Sequence, residues 1–542
     1  MLRSKGSKPD DRQAFMTDDN RIRSVIIVGG GTAGWMVAAA MARFLTDRRV
    51  SIRVIESDAI GTVGVGESTI PQIRLFNRLL GLDEDEFVRK TQATFKLAIE
   101  FVDWKHLGHT YYHPFGPYGV NMEGLSFHAY YLRALKEGWA GPLDDYSLQA
   151  LAAREEKFSR PLENAGNSPL GEIAYAFHFD AFLYARFLRG YAEERGVVRH
   201  EGKIVSVNQN GESGFIESVT MERGETLDGD FFIDCSGFRG LVIEQTLGAG
   251  FEDWGHWLLN DRAVAVPCAV GGSQRAVTRA TARPAGWQWR IPLQYRIGNG
   301  HVYSSAHMSD DEATHILLSN LDGEPLADPW RLKFKAGKRI ETWKKNCCAI
   351  GLAAGFMEPL ESQSIHLIQV GISRLMTLFP TREFRQVDID RYNRLLTFEY
   401  EKIRDFLVMH YHVTRRDDTD YWRYLRNMPV SDYLADKMEL FTRSGRVFRE
   451  NDELFNDTSW YAVMMGQGLE PRDYDPLADV MDEDKFRARM AEIRKAIRAS
   501  VDWMPGHHQF IAEHCAADAV QFQRKAGVDE QIATAKTVKA GA

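Results

Sequence analysis

Cysteine is scarce, long apolar runs are absent and no block of one charge sign stands out; each absence removes a class of protein. The five cysteines among 542 residues, Cys235, Cys268, Cys347, Cys348 and Cys515, are odd in number and show no C-x-x-C or His-rich ligand spacing. That excludes a disulfide framework and a structural zinc site and fits a reducing cytoplasm. No stretch approaches the roughly 18 apolar residues of a membrane span, and the polar start Met1 to Arg21 lacks the apolar core of a signal peptide. A soluble, cytoplasmic protein with no membrane partner and no bound metal is expected. The 67 basic and 75 acidic residues give a formal charge of −8. Without a basic block, nucleic acid is not an expected partner.

What is present is enough to build a large core, since 44% of the residues are hydrophobic and 26% charged. Ser24 to Val28 (SVIIV) is a β-branched run followed at once by Gly29, Gly30, Gly31, Thr32, Ala33 and Gly34 and then by the Ala-rich, helix-compatible stretch Trp35 to Phe44. A second strand, Ser51 to Ile55, ends at Glu56, a little over twenty residues beyond the glycines. Strand, glycine turn, helix, strand and acid make a βαβ dinucleotide fold. Gly29 permits the tight turn, Gly31 lets a pyrophosphate approach the backbone at the helix start, Gly34 lets helix and strand pack closely, and Glu56 accepts from a ribose.

Two later segments fit the same lobe. Phe231 to Gly237 (FFIDCSG), containing Asp234, and Cys348 to Gly355 (CAIGLAAG), containing Gly351 and Gly355, are strands running into small-residue turns. Both resemble cofactor-contacting pieces of flavoproteins, so FAD is expected rather than NAD. The expected architecture is α/β, an FAD-binding Rossmann-like lobe of the GR2 flavoprotein type (21–95, 172–257 and 346–380) intertwined with a largely helical substrate lobe (96–171 and 381–524). Residues 258–345 read as strand-rich, and 1–20 and 525–542 as disordered tails. Tyr392, Leu396, Ile403, Leu407 and His410 recur at helical spacing, and His410 on that stripe reads as a core histidine rather than a catalyst.

Gly64-Val65-Gly66-Glu67-Ser68-Thr69-Ile70-Pro71 is a second glycine-rich turn, rich in backbone donors, that could line a flavin edge. With Phe95-Lys96, Trp287-Gln288-Trp289-Arg290-Ile291-Pro292 and Glu358-Pro359-Leu360-Glu361-Ser362 following in that order, the chain resembles the flavin-dependent halogenases of the tryptophan or indole type. The resemblance implies FADH2 supplied by a separate NAD(P)H-dependent flavin reductase. It also implies O2, chloride or bromide, and hypohalous acid delivered to an essential lysine. A homodimer is left open.

Lys96 carries two readings. From spacing alone, Phe95, Leu97, Ile99 and Phe101 alternate with Lys96, Ala98, Glu100 and Val102, which puts Lys96 on the solvated side of a strand where it can pair with Glu100. The resemblance instead makes Lys96 the essential lysine and Glu361 the essential glutamate, with Ser362 as its neighbour. It also implies a halide site on the backbone amides of Gln363 and Ser364, and a ring slot at His113 and Phe115. Where tryptophan halogenases bring paired tyrosines to the amino-acid group, this chain has Trp460-Tyr461, with no acid in Ala462 to Gly468. As the small-molecule aromatic substrate, an indole or a larger or less polar aromatic is therefore expected rather than free tryptophan. The alternative activity is that of an FAD-dependent aromatic monooxygenase. A flavin-binding sensor without turnover is disfavoured by intact Lys96 and Glu361.

Overall fold

The computed structural model describes residues 20–45, 50–59, 66–272 and 274–518. The expected tails 1–20 and 525–542 lie outside the described residues, apart from Asn20. β1 (Ser24–Val28), α1 (Thr32–Leu45) and β2 (Ser51–Glu56) follow one another as the pattern predicts. β1 is apolar without alternation because both its faces are covered. It pairs in parallel with β2 on one side and with Phe231–Asp234 on the other. The whole sheet runs in the order 343–344, 347–349, 231–234, β1, β2, 198–201, and only its first strand is antiparallel. Small side chains let α1 lie flat on this sheet, and every residue from Gly34 to Ala42 is buried.

Of the four further sheets among the described residues, two position the site. β3 (Glu67–Ser68), β4 (Thr94–Lys96), β5 (Ala98–Val102), β6 (Thr110–Pro114) and β7 (Ala176–Phe179) are divided between them. β7 lies between β3 and β4 in an antiparallel ladder. β5 and β6 instead close a seven-stranded sheet in the order 330–333, 262–269, 296–303, 286–292, 277–283, β5, β6.

The alternation across Thr94 to Val102 predicts one continuous strand, and the structure breaks it at Leu97. There the amide donates to Ala276 O (2.8 Å) and the carbonyl accepts from Phe115 N (3.0 Å), so the crossover leaves neither backbone group unpaired. The break also removes the solvated side, since Lys96 and Glu100 are both buried. Glu100 pairs with Arg275 (2.8 Å) and Arg279 (2.6 Å) instead of Lys96.

Beyond Pro380 the chain is helical, as the spacing predicts. The helix Gln386–His412 buries Tyr392, Leu396, Ile403, Leu407 and His410. The next four α-helices start on side-chain caps, Thr419 to Trp422 N, Ser431 to Leu434 N, Asn456 to Ser459 N and Asp482 to Lys485 N. One continuous hydrophobic core joins α1, the seven-stranded sheet and these helices; a smaller one lies around Val219, Phe232 and Ile243. Among the described residues no helix is long and apolar enough to cross a membrane.

Candidate active site

The glycine turn is as tight as its sequence demands. Gly29 has φ +108, and a Cβ there would lie 2.3 Å from Cys235 O; a Cβ on Gly34 would lie 1.9 Å from Gly29 O. Gly31 has open space where its Cβ would be. The start of α1 at Thr32 and Ala33 is thus left approachable by an anion. Thr32 Oγ1 donates to Ala181 O (3.4 Å). Gly351, with φ +72, comes so near that a Cβ on it would lie 2.8 Å from Ala33 Cβ.

Glu56 stands at the end of β2, half-buried, accepting from Trp35 Nε1 (3.2 Å) and paired with Arg199 and Arg189. Gly30 is the glycine that makes room for it, since a Cβ there would fall 1.8 Å from Glu56 Oε2. An open glycine, a helix start and a terminal acid together form a cradle that fits a dinucleotide.

The other expected cofactor residues have these partners within the protein. The Asp234 carboxylate accepts from the amides of Ser236 (2.9 Å), Val242 (2.8 Å) and Ile243 (2.8 Å), so it caps the turn after its strand. Gly355 packs on backbone, where a Cβ would lie 2.7 Å from Gly337 O. Gly66, with φ +128, faces Ile291 of the W-x-W-x-I-P strand and Leu293 just after it, and Glu67 sits opposite Phe179 in the β3–β7 ladder. Ser68 directs its hydroxyl to Ser362 (2.9 Å) and Thr278 (2.6 Å) instead of outward. Gly64 and Val65 lie outside the described residues.

Lys96 is fully buried. Its Nζ donates to Ser362 Oγ (2.8 Å) and Thr69 O (3.1 Å) and lies 4.9 Å from the centre of the Phe115 ring. Thr69 is itself fixed to β7 by Oγ1 donating to Phe177 O (2.7 Å). Burial pushes the Lys96 ammonium down to about 7, against the upward pull of Glu361. Amine and ammonium are both accessible near neutrality.

Glu361, also fully buried, is held from two sides: His113 Nδ1 donates to Oε2 (2.8 Å), and His410 Nε2 faces Oε1 at 2.7 Å. Burial would raise its carboxyl, but the charge and hydrogen bonds of His113 and His410 outweigh it and hold the group down to about 2. His410 Nδ1 donates to Phe406 O (2.8 Å). A carbonyl only accepts, so Nδ1 keeps its proton and a second proton lies in the bond to Glu361. His410 is indeed a satisfied core histidine, but what satisfies it is the site carboxylate. Helical spacing shows that His410 faces inward and gives no sign of what it meets.

Glu358 organises the same loop from behind. It accepts from Asn260 Nδ2 (2.6 Å), Tyr411 and Trp287 Nε1 (3.3 Å), tying the E-P-L-E-S turn to the W-x-W-x-I-P strand. Trp287 and Trp289 share a face, with ring centres 6.2 Å apart. Gln363 opens the helix Ser364–Thr377, its side chain turned back to donate to Glu358 O (2.7 Å). The amides of Gln363 and Ser364 thus stand at a helix start, where backbone N–H groups lack intrahelical acceptors.

At the aromatic end, the ring of Phe406 meets His113 (5.9 Å), Phe455 (3.8 Å) and Trp460 (4.9 Å). Tyr461 stacks on His128 at 3.8 Å. Trp460 and Tyr461 are both buried in the core.

The model of the family "Tryptophan halogenase" matches residues 24–483. The 7-chloro-L-tryptophan 6-halogenase KtzR of Kutzneria sp. (strain 744) is 34% identical over 520 residues, covering 90% of this chain and 99% of that protein. Among solved structures, Xcc4156, a flavin-dependent halogenase from Xanthomonas campestris, superposes with a TM-score of 0.89 at 46% identity over 92% of this chain and 100% of that one. BrvH, a flavin-dependent halogenase from Brevundimonas sp. BAL3, gives 0.88 at 47% identity over 91% and 99%.

Proposed function

The chain belongs to the tryptophan halogenase family of flavin-dependent enzymes, and from that premise we propose that it halogenates an electron-rich small aromatic, an indole derivative rather than free tryptophan, with hypohalous acid delivered to Lys96. The observation that carries the proposal is the buried Lys96 bonded to Ser362, whose sequence neighbour Glu361 is clamped by His113 and His410.

Gly29, Gly31, Gly34, the start of α1, Glu56 and Gly351 would hold the cofactor as FADH2, delivered by a separate flavin reductase. When bound, the reduced cofactor would activate O2, which supplies the oxidising equivalents that turn chloride or bromide into hypohalous acid. The backbone amides of Gln363 and Ser364 would hold the halide.

Thr69 and Ser362 take two of the three N–H bonds of the Lys96 ammonium, which leaves one to hold the oxygen of hypohalous acid. The ring attacks the halogen, the departing hydroxide takes a proton from the Lys96 ammonium and leaves as water, and Glu361 receives the ring proton. Its low pKa costs little in that role, because the cationic ring intermediate is a far stronger acid than any carboxylic acid and an ionised carboxylate also stabilises its charge. Full burial of Trp460 and Tyr461 supports the less polar substrate, since neither offers an open hydroxyl to an amino-acid group.

The test is mass spectrometry on indole incubated with the protein, FAD, a flavin reductase, NADH and air, with bromide, chloride or neither. Halide-dependent product that survives a scavenger of free hypohalous acid is expected. Halide-independent oxygen addition would make the enzyme a monooxygenase.

A further inference from the structure

The hydrogen bonds of Lys96 do not stop at Ser362. Ser362 Oγ lies 2.9 Å from Ser68 Oγ, Ser68 Oγ 2.6 Å from Thr278 Oγ1, and Thr278 Oγ1 2.9 Å from His178 Nε2. On the far side, His178 Nδ1 is 3.0 Å from Thr94 Oγ1, which donates to Pro292 O (2.7 Å). Every member is buried.

Counting hydrogens fixes the direction of this chain. A carbonyl accepts only, so the single proton of Thr94 Oγ1 goes to Pro292 O, and Thr94 must accept from His178 Nδ1–H. Nε2 of a neutral His178 is then an acceptor and takes the Thr278 proton. Thr278 in turn accepts from Ser68, Ser68 from Ser362, and Ser362 from Lys96. Two arrangements satisfy every bond: ammonium at Lys96 with neutral imidazole at His178, or amine at Lys96 with imidazolium at His178 and all three hydroxyls reversed.

We propose that Lys96 and His178 share one proton through Ser362, Ser68 and Thr278, making His178 the positioning residue that sets the protonation state of Lys96. The inference rests on the halogenase reading of Lys96 and deepens it. In the transfer one N–H bond of Lys96 breaks and Ser362 Oγ gains that proton. The Ser362 proton passes to Ser68, that of Ser68 to Thr278, and that of Thr278 to His178 Nε2. No electrons change hands. The ammonium becomes an amine at a fully buried position, and the return step restores it.

The surroundings favour a shared proton over two. Burial first, then the positive charges of Lys96 and Arg290, hold the His178 imidazole well below the usual range, and His507 is the other titratable group facing it. His507 is kept neutral by accepting from Phe95 N (3.2 Å) while its Nδ1 donates to Gln274 O (2.8 Å). Glu361 is the charge acting on Lys96. Of the acids beside the β3–β7 ladder, Asp180 is taken by Arg296 (2.6 Å), and Glu67 lies opposite Phe179. Repulsion from Lys96 is among the forces that keep His178 neutral, and it disappears as the proton arrives.

The test compares Thr278→Val, which removes the central hydroxyl at nearly constant shape, with Thr278→Ser, which keeps it, and with His178→Gln, which can bridge Thr278 and Thr94 but cannot take a proton. Nitrogen-15 NMR of histidine-labelled protein, with the His178 signal assigned by its loss in His178→Gln, should show the neutral Nδ1–H tautomer. In the indole assay, Thr278→Val and His178→Gln should slow halogenation about tenfold or more and flatten the pH profile near 7, while Thr278→Ser keeps the wild-type profile. An Nε2–H tautomer, or a wild-type pH profile in Thr278→Val and His178→Gln, would overturn the proposal. If wild-type protein halogenates nothing, the halogenase reading fails, and the tautomer still decides the direction of the chain.

Discussion

Lys96 Nζ donates to Ser362 Oγ across 2.8 Å, although 266 residues separate the two in the chain. Ser362 holds φ +62, a left-handed backbone conformation uncommon outside glycine. The turn sends neighbouring side chains to different partners, Ser362 to Lys96 and Ser68, Glu361 to His113 and His410. The two groups central to the proposed chemistry are thereby fixed by one strained turn.

Lys96→Met should abolish halogenated product while reduced flavin is still reoxidised, because the oxidant forms upstream of the lysine. The same variant should be more stable than wild type at pH 7 and below, by about 1–2 kcal/mol, since it removes a buried charge. Between pH about 7 and 10.5 the unfolded chain keeps a proton that folded Lys96 has lost, so wild-type stability rises with pH across that window. Denaturant melts of both proteins as a function of pH should show the rise in wild type alone.

Glu361→Gln should slow halogenation by roughly 10²-fold if the carboxylate takes the ring proton. Its folded carboxyl is depressed to about 2 from 4.5, so it stabilises the fold above pH 4.5, and that contribution, on the order of 3 kcal/mol, is lost as pH falls toward 2. Acid unfolding of Glu361→Gln should lack this component. A near-wild-type turnover rate would leave Glu361 a structural residue.

Trp287→Phe removes a donor from the buried Glu358 without opening a large cavity. A loss of about 1–3 kcal/mol is expected in chemical denaturation, the cost of a buried polar atom deprived of a partner. An unchanged melt would show that Asn260 and Tyr411 suffice to hold Glu358.

Gly34→Ala places a methyl 1.9 Å from Gly29 O, a backbone atom that cannot swing aside. FAD affinity, followed by flavin fluorescence, should fall at least tenfold, with a stability loss of about 1–3 kcal/mol. Retained affinity would show that the turn can open without harming the cradle.

His410 illustrates what a single sequence conceals. Its place on the buried stripe of a helix follows from a spacing of 3.6 residues, yet its bond to Glu361 follows from where that helix crosses the loop 49 residues earlier. Ser68 and Thr69 were legible as a special turn, but their work, holding the lysine and its hydroxyl chain, was visible only with β7 alongside.

The nucleotide lobe was legible in the sequence, because β1, the glycine turn, α1 and Glu56 lie within a few dozen residues and Gly30 and Gly34 answer steric demands made within that same stretch. It also carried the family motifs in order. Only the tertiary structure decided that Lys96 is buried instead of solvated, that Glu361 is clamped by two histidines and that His178 faces the lysine through three hydroxyls. Alternation reports which side of a strand a residue takes, not what covers that side. At Leu97 the chain leaves one sheet for another, and the face that spacing assigns to water is closed by Thr69 and Ser362.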